Sequence, residues 1–219
     1  MTKIRLALFQ HHPQASRQCC EGMIRALNVR FDVRLFDVTN CTGRTLGKAD
    51  IVVFPGGVGE SDAYKKILGR HQDVIQRYLW RGGRYLGVCM GAYWAGQQYF
   101  DLLDGIKVEQ YIKRPTAEIR RSFGTVALVE WMGEHDNMFF YDGPVFVPSP
   151  YNAALTGTRI IARYANDEPM AVIQKKIGLI GCHPESMPSW YRKRYLEQHW
   201  HDYEHHELLA DFVDELANQ

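Results

Sequence analysis

Short apolar runs alternate with amphipathic stretches through the first half of the chain, the rhythm of a parallel sheet whose helices cover its faces. Residues 4–9 predict a first strand, and Ser16 stands where it can cap a helix running to about Asn28. Residues 33–38 predict a second strand, followed by a polar loop over 39–48. Residues 51–54 predict a third strand, closed by Pro55-Gly56-Gly57. From His71 the apolar residues Val74, Ile75, Tyr78 and Leu79 recur at helical spacing until Arg81-Gly82-Gly83, a C-terminal stop. A fourth strand then ends at Cys89, giving the order β-α-β-loop-β-α-β.

The second half changes character. Over 123–138 and 141–173, β-like runs are separated by Gly, Pro and Asn-Asp signals that suit antiparallel hairpins better than helical crossovers. A β-rich appendage is expected there. Residues 177–182 form a strongly apolar strand leading into His183-Pro184-Glu185, and helix candidates follow from about Met187. The pattern predicts an α/β sandwich with a mostly parallel central sheet and an antiparallel appendage, all within one domain spanning 1–219.

Composition narrows the function classes. The 219 residues are 46% hydrophobic and 23% charged, enough apolar material for one sizeable core. Lysine plus arginine number 26 against 25 aspartate plus glutamate, a net charge of +1, so no nucleic acid or membrane partner is expected. No apolar run approaches bilayer length and the N-terminus shows no secretory pattern, which points to the cytoplasm. Cysteines at 19, 20, 41, 89 and 182 form neither a disulfide framework nor a C-x-x-C pair, so reduced thiols, no metal and no cofactor are expected.

The chemistry concentrates at three places. Gly87-Val88-Cys89-Met90-Gly91 is a G-x-C-x-G segment at a strand-to-helix junction, the signature of a nucleophile elbow. At the start of a helix, unpaired N–H groups favour a thiolate. Alone, the motif fits a buried structural cysteine between packing glycines equally well. In an open α/β sheet, however, ligands collect beyond the carboxyl ends of the strands, and the glycine turn, Cys89 and His183 all fall at such ends. A cysteine nucleophile needs a base, and the base needs an orienting group. His183 and Glu185, two apart on an extended segment, fit those roles. The N–H groups of Gly57 and Met90 are the candidates for an oxyanion hole.

Together these segments resemble the three signature segments of class I glutamine amidotransferases, in the right order. More narrowly, residues 87–94 with 140–146, Arg163-Tyr164 and His183-Pro184-Glu185 are similar to the amidotransferase-like domain named for the N-terminus of biotin-protein ligases. The resemblance implies a flavodoxin-like three-layer fold, a Cys89-His183-Glu185 triad, a small amide substrate contacted by Gly56 and Tyr93, and an ammonia-accepting synthetase as partner. It also exposes a departure: Tyr93 stands where glutaminases of this class carry a substrate-holding glutamine. Three readings stay open: a glutamine amidotransferase-like hydrolase, a hydrolase of another C–N bond, and a non-catalytic binding or regulatory module. The chain lacks a biotinyl-adenylate motif and the length of a ligase domain.

Other conspicuous residues have plainer readings. His11 and His12 read as a solvated loop pair, and His199, His201, His205 and His206 as the wet face of a C-terminal helix. Cys19, Cys20 and Cys182 read as small core residues, and Tyr93 as packing the elbow helix. Arg114, Arg120, Arg121, Lys107 and Lys113 read as a solvated charged face. Glu60, Ser61, Asp62 and Tyr64 follow the glycine turn, where Ser61 or Asp62 starts a helix.

Overall fold

A computed structural model of the chain describes residues 3–11, 16–57, 63–149, 155 and 157–219. The first half runs β1 (Arg5–Phe9), α1 (Arg17–Leu27), β2 (Asp32–Phe36), α2 (Gly43–Leu46), β3 (Ile51–Phe54), α3 (Ala63–Ile67), α4 (Gln72–Trp80), β4 (Arg84–Val88) and α5 (Met90–Trp94). The second half runs β5 (Ile106–Gln110), β6 (Thr125–Trp131), β7 (Glu134–Phe140), β8 (Pro144–Pro148), β9 (Thr158–Tyr164), β10 (Pro169–Gln174), β11 (Ile177–Ile180), α6 (Arg194–Glu197) and α7 (Glu204–Ala217).

Nine strands form one sheet in the order β2-β1-β3-β4-β11-β10-β9-β6-β7, and β5 pairs with β8 in a separate ribbon. Neighbours are parallel from β2 to β11 and antiparallel from β11 to β7. The antiparallel strands therefore continue the central sheet beyond β11, and the β5–β8 ribbon alone stands apart from it. Burial explains the division. β3 is Ile-Val-Val-Phe, buried throughout, as a strand covered on both faces must be. β6 alternates buried and exposed over its second half, as a strand with one wet face does. Its hairpin to β7 turns at Met132-Gly133, both with positive φ (50° and 94°), the geometry that matches the twist of paired strands.

Helices on the two faces complete three layers. On one face Met23 and Leu27 of α1 and Leu209 and Phe212 of α7 pack with Leu6, Val53 and Leu86. On the other, Ile75 and Tyr78 of α4 meet an aromatic cluster of Phe9, Phe36, Phe54, Tyr85, Trp94 and Phe100. The loop expected over 39–48 contains α2, whose first turn is capped by Thr42 Oγ1 accepting from the N–H of Thr45 at 3.2 Å. Ser16 precedes α1 without a side-chain cap bond. Its backbone N–H donates instead to the Gly56 carbonyl at 3.1 Å, tying the start of α1 to the glycine turn.

Arg114 is half-buried between Glu109 (2.7 Å) and Glu168 (2.6 Å), which removes it from the expected solvated face. Among the described residues, no helix is long and apolar enough to cross a membrane.

Candidate active site

Cys89 joins β4 to α5 with φ 50° and ψ −106°, a conformation that costs a non-glycine residue of order 1–3 kcal/mol and persists only where its surroundings hold it. They do so here: the Cys89 N–H donates to Ile180 O at 2.9 Å, and the Cys89 carbonyl accepts from Ala92 and Tyr93, each at 3.0 Å. The glycines of the motif have a steric cause. A Cβ at Gly91 would fall inside the carbonyl of Phe54 at the end of β3, so the turn can approach the sheet only without one. Gly91→Ala is accordingly expected to destabilise the fold by about 1–3 kcal/mol or more, read as a lowered urea midpoint. An unchanged midpoint would contradict this packing.

His183 and Glu185 follow β11, the strand beside β4. The His183 N–H donates to Phe139 O at 2.8 Å, and its Nδ1 lies 2.9 Å from Glu185 Oε1. Both side chains are buried, and Glu185 Oε2 has no hydrogen-bond partner among the described residues. α1 presses close to this segment: a Cβ at Gly22 would overlap the Glu185 carbonyl. Burial alone would lower the pKa of His183. The negative charges of Cys89 and Glu185, with contacts to the Cys19 and Cys89 sulfurs, outweigh it and raise the imidazole well above its ordinary value.

A cavity of about 800 Å³ opens over these groups, within the range of clefts that take drug-sized ligands. Cys89, His183, Gly57, Met90 and Tyr93 all line it. Gly56 does not; it is buried behind the wall, where a Cβ would come within 2.7 Å of His183 Cε1 and 2.8 Å of Cys19 Sγ. The Tyr93 hydroxyl donates to the Asp142 carbonyl at 3.1 Å, so it braces the opposite wall rather than merely packing α5. The Asp142 carboxylate accepts from Gln110 Nε2 (2.7 and 2.8 Å) and Ser122 Oγ (3.1 Å), and Tyr141 O accepts from Cys89 Sγ at 3.5 Å.

Cys19 was not legible as part of this site. It is buried, as expected of a small core residue, yet it lines the cavity and lies against the His183 ring. Burial raises its thiol pKa, partly offset by His183. Burial also pushes Cys20 up to about 12 and Cys41 up to about 11, while Cys182 is fully buried with its thiol raised and lies outside the cavity lining.

His199 keeps an exposed contact, to Gln198 at 3.2 Å, but the histidines that follow it are not a wet face. His205 and His206 are buried: His205 Nε2 lies 2.7 Å from Asp136 Oδ2, and His206 Nε2 lies 3.0 Å from Ser186 O. His201 stacks on His205 with ring centroids 3.6 Å apart and reaches Ser186 Oγ at 3.2 Å. The helix carries apolar residues on the same face, so these rings enter the core with it. Burial lowers all three pKa values, that of His201 to about 3. A histidine held neutral in the fold and free to charge when unfolded makes stability fall with pH below about 6.5. His183, with a raised value, is charged in both states there and adds no slope. A urea midpoint that drops between pH 6.5 and 4, with a shallower drop in His201→Gln, is expected; a flat profile would contradict it.

Among the remaining singled-out residues, His11 stacks on Phe9 at 6.3 Å and does not line the cavity. Tyr64 is buried against Trp94, Tyr99 and Phe100. His12, Glu60, Ser61 and Asp62 lie outside the described residues.

Residues 11–114 match the family model described as "Biotin-protein ligase, N terminal", a span that includes the glycine turn and Cys89 but not His183. None of the curated proteins matches significantly. Among solved structures, a glutamine amidotransferase aligns over 98% of this chain and 99% of its own, with TM-score 0.67 and 21% identity. A glutamine amidotransferase from Thermotoga maritima aligns over 100% of both chains, with TM-score 0.65 and 13% identity. PurLQS from the same organism aligns over 98% of this chain and 100% of its own, with TM-score 0.67 and 14% identity. The chain thus has the class I glutamine amidotransferase-like fold.

Proposed function

We propose that this chain, one domain over residues 1–219 with the class I glutamine amidotransferase-like fold, is a cysteine-dependent amidohydrolase acting through Cys89, His183 and Glu185. One observation carries the reading: a cysteine held at positive φ on a strand-to-helix turn opens into the same cavity as a buried histidine hydrogen-bonded to a buried carboxylate. A structural cysteine needs neither the strain nor the ion pair.

The Cys89 thiolate attacks the carboxamide carbon, and the developing oxyanion is received by the N–H groups of Gly57 and Met90. Each such donor is worth about 3 kcal/mol of transition-state stabilisation. His183 passes its proton to the leaving nitrogen, ammonia departs, and a thioester remains. His183 then takes a proton from water as it attacks the thioester, releasing the acid and restoring Cys89. Glu185 holds Nδ1–H throughout, so that Nε2 faces the reaction. The released ammonia serves a synthetase partner where one is present. Neither nucleic acid nor a membrane enters this reading, and a chain with net charge +1 and reduced thiols suits the cytoplasm.

A second reading keeps the triad and changes the substrate. Tyr93 fills the position of the substrate-holding glutamine, and its hydroxyl is committed to the Asp142 carbonyl. That contact, with the size of the cavity, favours a C–N bond in a larger amide or peptide. A release assay over glutamine, small primary amides and peptides, run beside Cys89→Ala, separates them. Ammonia from glutamine supports the first reading, and cleavage of other amides alone supports the second. No Cys89-dependent turnover of any member would overturn both.

A further inference from the structure

A buried oxygen with no hydrogen-bond partner among the described residues lies at the centre of this site. Glu185 Oε1 is hydrogen-bonded to His183 Nδ1, while Oε2 is fully enclosed and has no hydrogen-bond partner among the described residues. Stranding a buried polar atom costs about 1–3 kcal/mol, more when it is charged. The third group here is the Cys19 thiol, brought in by α1. One donor atom each from Cys19, His183 and Glu185 all lie within 4.8 Å of one another. Gly56 packs against both groups: a Cβ there would come within 2.8 Å of Cys19 Sγ, 2.7 Å of His183 Cε1 and 3.4 Å of Nδ1. Nδ1 is the ring nitrogen that holds the carboxylate, 2.9 Å from Glu185 Oε1.

We propose that Cys19, His183 Nδ1 and Glu185 form a binding site for a thiophilic divalent cation of the zinc class, which occupies the place of the proton shared by His183 and Glu185. Sulfur, imidazole nitrogen and carboxylate oxygen are the donor set that zinc and cobalt(II) accept and that magnesium and calcium do not. In a tetrahedral zinc site such donors are about 3.3–3.8 Å apart, so a contraction of about 1 Å assembles the site. Charge balance favours it: a divalent cation with one thiolate, one carboxylate and neutral imidazole is uncharged overall, which a buried site requires. Water completes the four-coordinate shell. Binding releases two protons, one from the Cys19 thiol and one from Nδ1, so affinity rises with pH.

The site itself does not depend on the proposed reaction, but its consequence does. With the metal on Nδ1, His183 is turned from a base oriented by Glu185 into a ligand, and amide hydrolysis through Cys89 stops.

Cobalt(II) titration of the whole chain tests this without any activity. A thiolate-to-cobalt absorption band saturating at one equivalent is expected in the wild type and in Cys89→Ala, with zinc abolishing it by competition. In Cys19→Ser the band is lost, and the zinc-dependent rise in Tm seen in the other two proteins disappears with at least about 100-fold weaker binding. A band retained in Cys19→Ser, a band lost in Cys89→Ala instead, or no band in the wild type each overturns the proposal. A cobalt band in a protein that turns over no amide would leave the site standing and remove only the reading of the reaction.

Discussion

Replacing Cys89 by alanine is expected to lower amide hydrolysis on the order of 10⁶-fold in kcat, while substrate affinity changes little. The size follows from what is lost. Without the sulfur no thioester forms, and the oxyanion donors and cavity can assist only direct attack by water. The cavity remains intact, because a methyl group fits where the Cβ already sits and the turn's backbone bonds to Ile180, Ala92 and Tyr93 do not involve the side chain. Rates under substrate saturation, with binding measured separately by calorimetry, check both halves. A variant that keeps a tenth of the activity would remove Cys89 from the chemistry.

Glu185→Gln is the second largest, with kcat expected to fall about 10⁴-fold. The glutamine is nearly isosteric and its carbonyl can still accept from Nδ1, so the loss comes from charge and tautomer rather than shape. Removing one of the two anions that raise His183 weakens the imidazolium, which is the form that protonates the leaving nitrogen. The pH profile of the residual activity should therefore move to lower pH on its alkaline side. A change in KM alone, with kcat intact, would assign Glu185 to substrate binding instead. An unfolding midpoint close to wild type guards against reading a folding defect as chemistry.

Much of this site was legible because its parts are local. Gly87, Cys89 and Gly91 announce the elbow, and the steric reason is the approach of Gly91 to Phe54. His183 and Glu185 sit two apart on an extended segment, so their mutual bond follows from strand geometry. The residues that escaped are those placed by contacts between distant segments. Cys19 looks like any small residue on the apolar face of α1, and only the close approach of α1 to residue 185 puts it beside His183. The signal was Gly22, a glycine inside a helix, where its presence costs stability unless another backbone comes near. The buried histidines escaped for the opposite reason: His205 and His206 lie in the first turn of α7, and their sequence does not tell which side of that helix meets the core. The antiparallel strands were recognised as strands, but pairing β10 with β11 along the same sheet is a register between segments that alternation alone does not encode.

The proposed reaction requires that the fold make one of five cysteines a nucleophile. Native protein treated at neutral pH with a glutamine-derived electrophile and, in parallel, a general thiol reagent, then digested and read peptide by peptide, tests it most directly. Cys89 should be modified first by both under the primary reading and first by the general reagent alone if the substrate is another amide. In His183→Ala this preference should be lost. Modification of Cys89 no faster than Cys182, which is sealed in the core, would contradict the account.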